Sequence, residues 1–187
     1  SLLGSEMCIR DRYWGVRSFE IDPALLAAGK ISLTALDALT PDGTIVQKNT
    51  ILSPTLSLDI SALKDTLISK PLTIYLAVIS RETEMSMVVG ENPRYASIQS
   101  APLPDLNTGE GSMSIPLLAI RPFLVAGDPL PSHYSGFPLA KIQYTNNMFS
   151  LVDFMPAATV LSALPTLQAR LTKLVETLRD QVNYFSE

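Results

Sequence analysis

The chain has 187 residues, enough for one domain burying about 70% of its unfolded surface, and 47% of them are hydrophobic against 17% charged, for a mean hydropathy of +0.23. A net charge of −4, a pI near 5.0 and scattered basic residues offer little to neutralise phosphates, which excludes nucleic acid as a natural partner. No apolar run reaches the roughly 18 residues of a membrane helix, because Leu72 to Ile79 is too short and Pro116, Arg121 and Pro122 interrupt Ile115 to Val125; no direct membrane insertion is expected.

Ser1 to Arg12 (SLLGSEMCIRDR) resembles a translated sequencing-adapter read-through rather than a protein segment, and residues 1–12 are set aside as an artefactual leader. It holds the only cysteine, Cys8, so the remainder has no disulfide, no thiolate metal site and no cysteine nucleophile. The first residues also lack the basic region and long apolar stretch of a signal peptide, and a cytoplasmic setting follows.

From Tyr13 the pattern is strand, turn, strand. Val16 to Ile21 is rich in β-branched and aromatic residues, with Phe19 and Ile21 on one face. Asp22-Pro23 opens a short helical turn through Ala28, closed by Gly29. Ile31, Leu33 and Ala35 alternate with polar residues as a half-buried strand. Thr40-Pro41-Asp42-Gly43 has the chemistry of a type I turn and reverses the chain into Thr44 to Gln47. Leu72 to Ile79 is apolar on both alternating sets, which predicts a central strand covered on two faces.

Asn92-Pro93 is a turn, Tyr95 to Gln99 a strand, and Ala101 to Gly111 a loop. Met113 to Leu118 and Phe123 to Val125 resume the sheet, with Pro116 and Pro122 suited to edges or bulges. Gly127 to Gly136 is predicted as a second long loop, and Lys141 to Tyr144 pairs with Phe149 to Val152 across Asn146-Asn147. Short strands, Pro-rich turns and no βαβ alternation argue for an antiparallel β-sandwich over residues 13–160.

Residues 161–187 read as a long C-terminal helix from Ser162 to Phe185, capped by Ser162 with Pro165 in its first turn. In heptads from Leu164, position a holds Leu164, Leu171, Leu178 and Phe185, and position d holds Leu167, Leu174 and Gln181. Val175 and Val182 at e widen the stripe beyond a two-stranded seam and suit a helix bundle. The helix would run roughly 36 Å. No stop signal precedes Glu187, so the helix is expected to be cut rather than finished. On pattern alone the stripe either packs on the chain's own sheets or meets other chains.

Trp14-Gly15, the acidic Phe19-Glu20-Ile21-Asp22, Leu25-Leu26 with Gly29-Lys30, and Pro41-Asp42-Gly43-Thr44 stand in the order and spacing of a known family. Asp105-Leu106-Asn107, the Ile115 to Leu124 strand, Gly136 to Ile142, and Phe154-Met155-Pro156 before the helix agree. The chain resembles the shoulder and first neck helix of the TssK (ImpJ/VasE) family of type VI secretion baseplate subunits. The resemblance implies a β-sandwich similar to phage receptor-binding-protein shoulders and a non-enzymatic structural protein without cofactors. It also implies a homotrimer on a helical neck that binds the wedge proteins TssF and TssG, with TssE, at the inner face of the inner membrane. Contact with the TssJ, TssL and TssM membrane complex would belong to a C-terminal head that this sequence does not include. For the neck, the resemblance points to Leu167, Leu171, Leu174, Leu178 and Val182. A phage-type receptor-binding or carbohydrate-binding sandwich is the alternative.

Catalytic chemistry finds few candidates. His133, the only histidine, has Ser132, Ser135 and Asp128 nearby, but all four fall in one predicted loop, whereas a triad draws on separate elements. Glu82 and Glu84 are too close together to flank a glycosidic bond, and Gly109-Glu110-Gly111 lacks a helix to hold a phosphate. One histidine without cysteines or patterned carboxylates makes no metal site. Tyr95, Tyr134, Tyr144 and Phe149 are either a sugar-binding platform or core.

Overall fold

The structure is a computed structural model that describes residues 13–48, 56–81, 93–100, 102–104 and 112–185. Two antiparallel four-stranded sheets face each other. The first joins β1 (Gly15–Ile21), β2 (Lys30–Leu39) and β3 (Ile45–Lys48) in that order, with β4 (Ser57–Asp59) pairing the start of β2. The second runs β10 (Phe123–Ala126), β5 (Leu72–Ile79), β11 (Tyr134–Thr145), β12 (Met148–Leu151). Between them lies one core, with Val16, Leu33, Leu36 and Val46 from the first sheet against Ile74, Leu76, Phe137 and Ile142 from the second. This is the antiparallel sandwich that the strand pattern predicts.

Local chemistry explains the turns. Asp22 caps α1 (Pro23–Ala27), its Oδ1 accepting the Ala24 and Leu25 amides at 2.9 and 3.1 Å, and Gly29 ends it at φ +87°. The Thr40 carbonyl accepts the Gly43 amide at 2.9 Å, and Gly43 at φ +80° lets β2 reverse into β3. Asn146 and Asn147 both take positive φ, 52° and 63°, the turn that matches the twist of the β11–β12 hairpin.

β5 sits between β10 and β11 with every residue buried except half-buried Tyr75, as expected for a strand apolar on both faces. Its neighbour comes unusually close at Gly136. A Cβ there would overlap the Leu76 carbonyl oxygen and stand 2.8 Å from the Ala77 Cα.

Several expectations change. The run Ile31, Leu33, Ala35 does not stay in phase, because burial switches to Leu36 and Ala38 where β1 and β2 shift register around Glu20 and Ile21. The strand at Pro116 does not rejoin a main sheet: among the described residues β9 (Pro116–Ile120) pairs only with β6 (Tyr95–Gln99), as a separate ribbon. Within the stretch expected as loop, β7 (Leu103–Pro104) pairs with β8 (Ser112–Met113). The loop predicted to end at Gly136 is already strand at Tyr134, pinned by its pairing with Ile79. A short helix, α2 (Lys64–Ser69), buries Leu67 in the core and has no counterpart in the sequence reading.

Gly136→Ala must push β11 off β5, because both groups that its Cβ meets first are backbone. We expect a loss of about 1–3 kcal/mol or more in urea denaturation, whereas Gly43→Ala, whose Cβ meets nothing within 4 Å, costs only its backbone strain.

Candidate assembly surface

The helix α3 (Pro165–Phe185) begins three residues later than the Ser162 start expected. Ser162 lies in a 3-10 turn over Leu161–Ala163, and the first helical hydrogen bond runs from the Gln168 amide to the Leu164 carbonyl at 2.9 Å. Pro165, with no amide to satisfy, is therefore the first helical residue. Thr172 and Thr177 fold their hydroxyls back onto the Gln168 and Lys173 carbonyls at 3.0 and 2.9 Å.

At about 100° per residue, Leu167, Leu171, Leu174, Val175, Leu178 and Val182 share one stripe. Leu167 is half-buried at the root. Beyond it the stripe is uncovered: Leu171 is 38% exposed, Leu174 54%, Val175 45%, Leu178 51% and Val182 66%. The sequence left open whether this stripe packs on the chain's own sheets. It does not.

The other motif residues are spread through the sandwich rather than gathered in a site. Trp14 is half-buried and packs its ring 5.6 Å from that of Phe137. Gly15 is buried beside Ala157, Gly29 faces the Phe149 ring, and Pro156 is buried between β12 and the helix. Asp105, Leu106 and Asn107 lie outside the described residues, as do Glu82, Glu84 and Gly109 to Gly111.

Pro41, Asp42 and Gly43 form the β2–β3 turn, and Asp42 reaches beyond it. Its Oδ1 accepts the Thr40 hydroxyl at 2.6 Å and the Thr44 amide at 3.1 Å, while its Oδ2 meets the Arg94 guanidinium at 2.8 Å. Arg94 is 1% exposed and also donates to the Ile79 carbonyl and the Thr44 hydroxyl. The Oδ2 contact is an ion pair out of hydrogen-bond alignment, and among the described residues Arg94 Nε has no hydrogen-bond partner. Burial by itself would raise the Asp42 carboxyl. The hydrogen bonds from Thr40 and Thr44, with the contact and charge of Arg94, outweigh it and hold the carboxyl below its ordinary value. Sequence reading missed Arg94, whose only signal is a charge immediately before a strand.

The catalytic candidates are not assembled. His133 is exposed with its ring 4.1 Å from that of Tyr134, and its carbonyl accepts the Ser80 amide at 2.9 Å. The Asp128 carboxylate instead takes the Tyr75 hydroxyl at 3.4 Å. The four aromatic rings also separate. Tyr144 and Phe149 form an edge-to-face pair at 4.8 Å against the core, Tyr134 lies by Phe123, and Tyr95 lies beneath Arg94. Among the described residues no cluster of His, Cys, Asp or Glu is placed to hold a metal ion, and no helix is long and apolar enough to cross a membrane.

Over residues 7–186 the chain matches the family described as "Bacterial Type VI secretion, VC_A0110, EvfL, ImpJ, VasE", a match that begins inside the leader set aside above. No curated protein sequence matches it. Among solved structures it is similar to a crystal structure of TssK, with a TM-score of 0.77 and 21% identity over 93% of this chain and 42% of that one. It is also similar to a chain of the TssK-TssF-TssG baseplate subcomplex, with a TM-score of 0.73 and 22% identity over 96% and 61%. A chain of a type VI secretion baseplate complex gives 0.74 and 20% over 96% and 42%. The present chain thus spans between 42 and 61% of the length of these relatives, and at such identities the likeness speaks for the fold.

Asp42→Asn leaves the Arg94 charge buried without its counter-ion, and we expect a loss of about 3–5 kcal/mol at neutral pH by chemical denaturation. Because the folded carboxyl titrates below 3.8, its contribution is fully present above that pH and is lost as pH falls through the lower folded value. The stability gap between wild type and Asp42→Asn should therefore stay constant from neutral pH down to about 4 and narrow below it.

Proposed function

The chain belongs to the bacterial type VI secretion ImpJ/VasE family, that of the TssK baseplate subunits, and from that membership we propose that it acts as a trimeric adaptor within the baseplate. The observation that carries this reading is the stripe on α3, left uncovered by the chain's own sandwich. A helix this long with one apolar face that none of the described residues covers has the form of a neck strand that meets its own copies.

The sandwich supplies the shoulder that faces the wedge. A related chain solved with TssF and TssG supports those two proteins as partners, with TssE as a further member. Contact with the membrane complex of TssJ, TssL and TssM is assigned to parts of the family outside the span matched here, and the assembly would sit at the inner face of the inner membrane.

Fully burying a side chain such as Leu or Val is worth about 1.5–3 kcal/mol, so covering the exposed half of five of them is worth on the order of 5 kcal/mol per chain. Association costs about 4–15 kcal/mol in lost freedom. The stripe alone therefore leaves a trimer marginal, and contacts from the shoulder or from wedge proteins add to it.

Leu171→Asp combined with Leu178→Asp puts two charges on the stripe without touching the sandwich. We expect the parent to approach three times the 20.3 kDa chain mass in sedimentation as its concentration is raised and the double variant to stay at one, with an unchanged circular dichroism signal from the strands. A double variant that keeps the parent's mass would remove α3 as the association surface.

A further inference from the structure

Among the described residues, α3 is tied to the sandwich only at its root. Ala163 is buried, Leu164 and Leu167 are half-buried, and Arg170 meets Asp153 at 3.3 Å in an exposed pair that contributes little. From Leu171 to Val182 every side chain is exposed, so the direction of the helix is set at its root and by the chain leading into it.

The chain approaches the helix through 157–159, which lies along β1 as a single parallel bridge between Val16 and Ala158, and then through the 3-10 turn in which Ala163 is buried. The Val16 amide donates to the Ala157 carbonyl at 2.9 Å, and the Thr159 amide donates to the Val16 carbonyl at 2.9 Å. The Thr159 hydroxyl adds a longer contact to the same carbonyl at 3.4 Å. Val16 is fully buried, so this clasp is made against the core and not against solvent.

It fits only because residue 15 is glycine. Gly15 has φ +135°, and a Cβ on it would stand 2.5 Å from the Ala157 oxygen and 2.8 Å from the Ala158 nitrogen. Both are backbone atoms, which cannot rotate away as a side chain would. We propose that Gly15 is the positioning residue of the helix: by admitting 157–159 against β1 it fixes the angle at which α3 leaves the sandwich, and thereby where the apolar stripe points. The geometry stands on its own, while its consequence for assembly rests on the proposed association through α3.

The test uses the full chain in a Cys8→Ser background, with spin labels on cysteines placed at Ser57 in the sandwich and at exposed Ala169 near the root of the helix, diluted with unlabelled protein. Wild type should give one narrow label-to-label distance. In Gly15→Ala the distribution should broaden and the Val16 and Thr159 amides should lose hydrogen-exchange protection by at least tenfold, while the amides of β5 keep theirs. Self-association should weaken at least tenfold. If Gly15→Ala unfolds the sandwich, Thr159→Pro decides the same question, since it deletes the amide donated to Val16 and leaves β1 intact.

A narrow distance that persists after the Thr159 or Val16 amides have lost protection would overturn the proposal, and so would a broad distribution in wild type. Loss of the narrow distance in Gly15→Ala with self-association unchanged would leave Gly15 as the positioning residue and remove α3 as the association surface.

Discussion

The buried guanidinium of Arg94 is the constraint on which the sandwich depends most. An arginine taken out of water costs several kcal/mol unless its hydrogens and charge are answered, and here the answers come from three places. Asp42 and Thr44 belong to the turn of the first sheet, and the Ile79 carbonyl ends the central strand of the second. The Arg94 carbonyl also accepts the Arg121 amide at 2.9 Å, where the β6–β9 ribbon returns to β10. One residue therefore ties the β2–β3 turn to the end of the central strand of the second sheet through its side chain, and to the base of the ribbon through its carbonyl. The apolar core fills the space between the sheets but, being non-directional, does not by itself specify those ties.

The turn at Pro41-Asp42-Gly43 carries two duties that pull on the same residue. Its backbone needs an acceptor at position 42 to close the reversal, and its surroundings need an anion against Arg94. A carboxylate meets both, because one oxygen serves Thr40 and Thr44 while the other faces the guanidinium. An amide at position 42 could keep the turn but would leave the buried cation unanswered.

What was legible in the sequence was short-range. Asp22 before Pro23, Gly29 after the helical turn, and the paired Asn146-Asn147 state their conformations through neighbouring backbone, and each is found as read. The two-sided apolarity of Leu72 to Ile79 announced a covered strand without saying what covers it. Long-range facts were silent: that Gly136 must be small depends on Leu76 and Ala77, and that Arg94 is buried depends on a turn 50 residues earlier. The β6–β9 ribbon was misjudged because Met113, Ile115, Leu117 and Leu118 look like core residues, yet all are more than 40% exposed. In the candidate site the stripe itself was readable from heptads, whereas its lack of cover was not, since the same pattern serves a helix packed on its own domain.

That lack of cover bears on how the helix is held at all. Isolated helices shorter than about 12–15 residues are marginal in water even with favourable composition, and longer ones gain most of their stability from a packed face. α3 has 21 residues, packs only its root, and includes the β-branched Thr172, Val175, Thr177 and Val182, which lose side-chain freedom in a helix. The sandwich, with a closed core, gains nothing from the distal half of the helix. On the proposed reading, the energy that orders Leu171 to Val182 comes from other copies, so helix formation and association are linked by mass action. The clasp at Gly15 then acts before any partner arrives. It fixes the angle of the first turn, which lowers the ordering cost that association must meet and leaves the stripe facing where a copy can reach it.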